Sequence, residues 1–458
     1  MQEFWSDHHI ASQYLGFQRF KTIESYINIC SDEEQPTGTS PWFWKVQLGV
    51  DQLREQCKQI LIPSSHICVD ESSIKFFGRK KDKYKLPHKP AKEGFVCYAL
   101  TSYGGLIHDF CMSSSQDRLE GIGEGYTIDL TTRNLRKRKR GTNSTTADVV
   151  SLPPLKSMVF MLCERVTAGY RRFQHICFLD NLFVDVKLAR ALLTIDIGIC
   201  GTTRKNTPGI PPILLAIQHR FSRLLPNNRA VSCIVDGLVN ITTWKDEHRQ
   251  NTVTAISTVH RPTDRQQVLR KSKPLHATRA RPNGYQLVWV SQPRMFTDYT
   301  NNMGSTDDFN HMRAMSSVRR PSQPKWTKKY LEWMTDICHI NAYLIWKRNP
   351  ANQRRDHRER EFFINELIHG LIHSVEKVHA PNLRSKRSFC AWRGCQPQGG
   401  LIRQPLEEVR NLATRVRRMK TRAYCEDCGI YLCITKSCWD EYHGYHRLQC
   451  RPEEWLAG

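Results

Sequence analysis

The sequence predicts an α/β protein: one mixed sheet interrupted by a β-rich insertion, flanked by helical segments, with a small zinc-binding domain at the C-terminus. Three observations predict it. Residues 65–71 (SHICVDE) and 174–181 (QHICFLDN) have the length and the β-branched or aromatic content of buried strands, and each apolar run stops on an acid, Asp70 and Asp180. Helical and strand-like runs alternate after residue 150, as they do where parallel strands are joined by helices. Paired cysteines and histidines crowd residues 390–446.

With 458 residues the chain is long enough for two to four domains and a sizeable core. Its 68 Lys and Arg against 44 Asp and Glu give a net charge of +24. That excess calls for an acidic polymer as partner, and nucleic acid is the commonest one. There is no apolar run long enough to span a membrane, no lone basic amphipathic helix and no signal-peptide pattern at the N-terminus, so no membrane role is expected. The 17 cysteines are odd in number. Cys68, Cys97, Cys177 and Cys200 lie in strand-like runs, where a thiol behaves as a small buried hydrophobe. This distribution predicts reduced thiols in a reducing compartment rather than a disulfide framework.

Residues 1–62 read as the first part of a helical region, with apolar positions at helical spacing over 17–27 and 50–60 and a polar loop at 31–36. From residue 63 the pattern is β. The first acid strand is followed by a basic stretch, residues 79–92, and then by strands over 95–100 and 106–110 joined at Gly104-Gly105, which together make an antiparallel meander. Residues 113–150 are polar and contain the run RNLRKRKR at 133–140. Such a run is a solvated loop, a phosphate-contact loop or a nuclear-import signal, and all three fit a nuclear DNA-binding protein. A helix is expected over 150–166, then the second acid strand, a helix over 182–193 and a strand over 195–202. Three antiparallel strands plus parallel ones, with acids on the first and fourth, match the ribonuclease-H-like architecture over residues 63–205.

Residues 206–284 read as the β-rich insertion, with strand candidates at 232–235, 239–244 and 252–258. Residues 285–313 return to the sheet with a third acid, Asp307, opening a helix that runs through Met312 and Met315. An acid at a helix start also serves as a simple cap, and a strand-end Asp also caps turns. Residues 314–388 supply the second part of the helical region, with helices over 326–347 and 362–375. Two strands that each push an Asp to one sheet edge make a pair that repels itself unless a divalent cation sits between, and hard oxygen ligands suit Mg²⁺ or Mn²⁺.

The order of these signals resembles the piggyBac-type transposase family. The matching stretches are Val69-Asp70-Glu71 with Gly78-Arg79 and Lys89-Pro90-Ala91-Lys92; Leu179-Asp180-Asn181-Leu182-Phe183; and Gly201-Thr202-Thr203-Arg204-Lys205-Asn206 before Gly209-Ile210-Pro211. Trp244-Lys245-Asp246 before Ser257-Thr258, residues 299–312, and Ile340-Asn341-Ala342-Tyr343 complete the series in one order over most of residues 1–350. The resemblance implies a catalytic triad of Asp70, Asp180 and Asp307. It takes Asp307 over Asp308 because residues 303–307 fall on the family's Gly-Gly-Val-Asp pattern. It further implies Mg²⁺ or Mn²⁺ at the triad, contacts to DNA phosphates from Arg79, Lys80, Lys89, Lys92, Arg204 and Lys205, and a homodimer paired through the helical region. The implied reaction is cut-and-paste transposition through DNA hairpins, on double-stranded transposon terminal repeats and a TTAA target. Two departures stand out. Asn310 occupies a position that is often a further Asp, and the chain begins directly at its helical part, without a long acidic leader. The first bears on metal binding or strand transfer; the second suggests the alternative, a truncated or domesticated, catalytically inactive DNA-binding or chromatin protein.

The C-terminal domain, residues 389–450, is read from spacing. Cys390-x4-Cys395, Cys425-x2-Cys428, Cys433-x4-Cys438 and His443-x2-His446 are the four ligand pairs that two tetrahedral Zn²⁺ sites require. A cross-brace gives Cys390, Cys395, Cys433 and Cys438 for one ion and Cys425, Cys428, His443 and His446 for the other, with Cys450 left over as an alternative to one His. The segment has too few apolar residues to fold without metal. The resemblance agrees, since family members end in a cysteine-rich zinc domain that recognises the transposon end.

Overall fold

A computed structural model of the chain describes residues 16–30, 41–87, 92–116, 118–130, 149–170, 174–246, 252–272, 286–316, 325–349, 352, 359–376, 382–389, 420–425 and 430–431. The chain divides into two compact units, residues 26–353 and residues 1–25 with 354–458. Among the described residues no helix is long and apolar enough to cross a membrane.

A short helix, α1 (Phe17–Tyr26), comes first. In α2 (Trp44–Ile60) the buried residues are Val46, Val50, Leu53 and Cys57, a single stripe at helical spacing. The chain then lays down β1 (His66–Lys75), β2 (Tyr84–Lys85), β3 (Glu93–Ser102), β4 (Leu106–Ser114) and β5 (Arg118–Leu119), with a tight turn at Tyr103–Gly105 between β3 and β4. A separate two-stranded ribbon, β6 (Tyr126–Asp129) with β7 (Val149–Leu152), precedes α3 (Pro154–Thr167). So the helix expected from residue 150 starts four residues later, because Pro153 and Pro154 favour extended backbone before a first helical turn. Next come β8 (His175–Leu179), α4 (Val186–Leu193), β9 (Ile197–Thr202), α5 (Pro212–His219), β10 (Ala230–Val235), β11 (Val239–Trp244) and β12 (Val253–Ser257). Helix α4 begins later than expected because Asp185 is its N-cap, its carboxylate accepting from the Leu188 N–H at 2.7 Å. The ribbon β13 (Arg265–Ser272) with β14 (Gln286–Pro293) leads into α6 (Arg294–Asn302), α7 (Ser305–Ser316) and α8 (Trp326–Arg348). The other unit holds α9 (Glu359–Glu376) and a three-stranded sheet of β15 (Asn382–Phe389), β16 (Lys420–Cys425) and β17 (Ile430–Tyr431).

One ten-stranded sheet organises residues 26–353, in the order β10-β11-β12-β9-β8-β1-β3-β4-β5 with β2 on β3. The meander β1-β3-β4 is antiparallel, and β8 and β9 add in parallel beside β1. The mixed sheet is as the sequence predicts. The three strands expected in the insertion behave differently: β12 pairs antiparallel with β9, so β10, β11 and β12 lengthen the main sheet, while the β13–β14 ribbon, not expected as strands and crossing the expected boundary at 284, forms a two-stranded sheet of its own. Strand β9 would otherwise be an open edge, and pairing it satisfies its backbone groups.

Both faces of the sheet are covered, and β3 shows how. Val96, Tyr98 and Leu100 join the core formed with α3 and α4, while Phe95, Cys97 and Ala99 join the core formed with α2 and α8, as the two-residue period of a strand requires. Cys68, Cys97, Cys177 and Cys200 are buried free thiols, as expected. A buried histidine adds a pH-dependent element. His108 on β4 shares a 2.7 Å hydrogen bond between Nε2 and the Ser102 hydroxyl. Burial, followed by the charges of Arg348 and His175, lowers its pKa to about 4. The folded state therefore refuses a proton that the unfolded chain takes up near pH 6.5, and stability is lost as pH falls from there towards 4. Unfolding in urea should show the advantage of wild type over His108→Gln shrinking by about 2 kcal/mol between pH 7 and pH 5.

Candidate active site

The site follows from strand register. In the parallel pair β1–β8, Val69 lies opposite Leu179. The next residue in each segment is the acid, so Asp70 on β1 and Asp180 just past the end of β8 both follow a paired position, on neighbouring strands that lie about 5 Å apart in any sheet. Strand β1 does not stop at Asp70, however. It continues to Lys75, paired with β3 throughout, whereas β8 ends at Leu179. The apolar run ends at Asp70 because its partner strand ends there, and the two acids mark the mouth left in the sheet.

Side-chain alternation decides which face receives the acids. Ile67 and Val69 point into the α3–α4 core, so Cys68, Asp70 and Ser72 share the opposite face. That face carries α7. The Cys68 thiol donates to the Met303 carbonyl at 3.1 Å, just before α7 begins. The Ser72 hydroxyl donates to Asn310 Oδ1 at 2.9 Å, and the Arg313 guanidinium donates to the Ser73 carbonyl. Thr306, fully buried, meets Thr101 of β3 hydroxyl to hydroxyl at 2.9 Å. Gly105 makes the close approach possible: its φ is +96°, and a Cβ there would lie 2.6 Å from the Phe309 amide nitrogen. Pinned in this way, α7 presents Asp307, Asn310, His311 and Ala314, spaced i, i+3, i+4 and i+7, to the cleft beside β1.

The cleft has a volume of about 810 Å³, and its walls include Asp70, Asp180, Asp307, Arg204, His311 and Arg313. Burial raises the Asp70 carboxyl to about pKa 7; the Glu71 amide, donating to Asp70 Oδ1 at 2.8 Å, works against this, and the charges of Asp307, Glu71 and Asp180 add to it. Burial and the charge of Asp307 raise Asp308 as well. Tyr299 of α6 sits nearby, its hydroxyl accepting from Thr202 Oγ1 at 3.3 Å; burial pushes the phenol up to about 12, the Thr202 hydrogen bond works against this, and the charges of Asp180 and Asp70 add to it. Among the described residues no three His, Cys, Asp or Glu side chains converge tightly enough to enclose one ion. The donor set nonetheless suits Mg²⁺ or Mn²⁺. Such ions take one or two carboxylates each and fill their shells with water and substrate phosphate, so acids spread along a cleft wall suffice.

The cations expected at DNA fall in different places. Arg204 lines the cleft, held by an Nε donation to Asn181 Oδ1 at 2.9 Å, and Lys205 is exposed beside it. Arg79 and Lys92 are exposed away from the cleft walls. Lys80 pairs with Asp82 at 3.4 Å and lies 4.8 Å from the Trp326 ring centroid. Lys89 and the basic run 133–140 lie outside the described residues. So do the expected zinc ligands Cys390, Cys395, Cys428, Cys433, Cys438, His443 and His446; at Cys425 only the backbone is described, paired with Ile430 at the end of β16. The sequence reading missed Lys75, His311 and Arg313 as cleft residues. The helical spacing from Asp307 was the signal for His311.

A structure of the piggyBac transposase synaptic complex with hairpin DNA is similar in fold, with a TM-score of 0.54 at 18% sequence identity over 95% of this chain and 83% of that one. A family profile described as Transposase IS4 matches residues 1–343. With the mixed sheet and the acid-lined cleft these matches agree, and the chain belongs to the piggyBac-type transposase family.

Proposed function

We propose that this DNA transposase is an active, divalent-metal-dependent enzyme that cuts transposon ends through hairpin intermediates and joins them at TTAA targets. The observation that carries this reading is the meeting of Asp70, Asp180 and Asp307 in one cleft. These three would hold Mg²⁺ or Mn²⁺. Bound there, such ions would supply activation of a water or a 3′-hydroxyl and charge stabilisation for the leaving 3′-oxygen of an in-line attack on phosphorus. The chain's own residues supply the rest. Arg204, which lines the cleft, would hold a DNA phosphate, and the exposed Lys205 beside it would extend that contact along the DNA backbone. His311 of α7 and Lys75 of β1 add donors to the cleft lining. In the same reading Arg79, Lys80, Lys89 and Lys92 clamp the flanking duplex, and residues 389–450 bind two Zn²⁺ and recognise the terminal repeat. The protein works in the nucleus as a homodimer that holds two ends together.

The test is strand cleavage and hairpin formation on a labelled native transposon end flanked by TTAA, with and without Mg²⁺. Mg²⁺-dependent nicking followed by a hairpin product is the expected result. Tight, zinc-dependent end binding with no cleavage would instead establish the alternative, a domesticated DNA-binding protein that has lost the reaction.

A further inference from the structure

Asn310 lies in the acid-lined cleft, one helical turn from Asp307. It has the position of a metal ligand, yet its hydrogen bonds point elsewhere. The amide donates from Nδ2 to the Glu71 carbonyl at 3.3 Å and accepts at Oδ1 from the Ser72 hydroxyl at 2.9 Å. The direction of both bonds is fixed by Ser72, which is fully buried. Its oxygen accepts from Trp333 Nε1 at 3.3 Å and from Arg313 Nη1 at 3.4 Å. Neither of those groups can accept, so both lone pairs of the hydroxyl are used and its single proton must go to Asn310. Asn310 Oδ1 is therefore the acceptor and Nδ2 the donor, and each end of the amide commits one hydrogen bond to β1.

We propose that Asn310 is a positioning residue, not a metal ligand: a clamp that fixes Asp307 on α7 against Asp70 on β1 and so sets the metal affinity of the site. This rests on the transposase reading of the cleft. The clamp grips β1 at Glu71 and Ser72, the two residues following Asp70. A slip of α7 along β1 changes the Asp70–Asp307 spacing directly. An amide is required because the Glu71 carbonyl needs a donor. A carboxylate at position 310 has none to offer, sets oxygen against oxygen, and finds Arg313 one turn away on the same helix as its own partner.

The experiment is direct Mn²⁺ binding to the full chain without DNA, followed by electron paramagnetic resonance, for wild type, Asn310→Asp, Asn310→Ala, Ser72→Ala and the Asn310→Ala/Ser72→Ala double variant. Thermal melts check that each is folded, and Asp70→Ala is the control. Each single variant should bind Mn²⁺ about tenfold or more weakly, as loss of a group that orients ligands does. The double variant should be no weaker than the weaker single, since both changes open one clamp. Tighter Mn²⁺ binding by Asn310→Asp would overturn the proposal and make position 310 a ligand. Multiplying effects in the double variant, or wild-type affinity in Ser72→Ala, would also overturn it. Equal Mn²⁺ binding by wild type and Asp70→Ala would show that the acid cleft is no metal site and would remove the parent reading itself.

Discussion

Asp180→Ala and Asp70→Ala should each lower cleavage of a labelled transposon end by about 10³-fold or more while leaving end binding within about twofold. A loss of that size is about 4 kcal/mol of transition-state stabilisation, within what an ion-binding carboxylate supplies when charge develops on phosphate oxygens. Binding should hold because duplex affinity comes from cations on phosphates, and neither acid makes such a contact. Removing a negative charge from the cleft should tighten binding slightly if it changes it at all. The fold should also survive. Asp70 is half-buried and faces the charges of Asp307 and Asp180, so its ionised form is resisted by its surroundings. Its removal should leave the melting temperature unchanged or higher. Gel-shift titration, a single-turnover cleavage assay and a thermal melt on the same preparations check the three parts. Equal loss of binding and cleavage would count against a chemical role for these acids.

The second large effect lies outside the cleft. Arg54 of α2 forks onto the Glu120 carboxylate through both Nη atoms. Its Nη2 also donates to the Phe110 carbonyl at 2.6 Å, and its Nε lies 3.2 Å from Asp109 Oδ1. Arg165 of α3 reaches the other oxygen of Asp109 at 2.8 Å. Burial opposes the charge on Arg54, and Glu120 and Asp109 outweigh it, so the guanidinium is held more firmly protonated than usual. Replacing it by Met leaves two buried carboxylates facing each other with one cation fewer. Breaking such a network from one side costs about 3–5 kcal/mol. Arg54→Met should therefore show a urea midpoint lower by that amount divided by the denaturant slope, and Arg54→Lys should recover only part of the loss because an ammonium lacks the planar fork. An effect below about 1 kcal/mol would mean that the network is solvated and weak.

Much of this was legible in the chain. The two acid strands, the antiparallel meander and the third acid at a helix start are all local patterns, and each formed where periodicity placed it. Asp70 and Asp180 could be paired from sequence because both follow apolar runs of similar length, and register depends on such runs. What the sequence could not carry is pairing order. Nothing in residues 230–257 says that β12 joins the exposed edge of β9, since an inserted sheet and an extended one have the same alternation. Nor could it show that Ser72, an ordinary small residue within β1, is the buried point where Asn310, Arg313 and Trp333 meet. Those partners are 238 to 261 residues away in the chain.

On the proposed function, that separation has a bearing on when the protein becomes capable of cutting DNA. Seven of the ten strands of the main sheet, including the two that lead to Asp70 and Asp180, have been made once residue 202 has emerged from the ribosome, but the wall bearing Asp307 belongs to a helix made about a hundred residues later. Contacts of such long range form late, because a long loop must close before they give anything in return. A growing or prematurely ended chain thus has the two sheet acids and the basic surface to meet DNA, yet no third wall. Synthesis itself acts as a safety catch, arming the cleft only when α7 docks against β1.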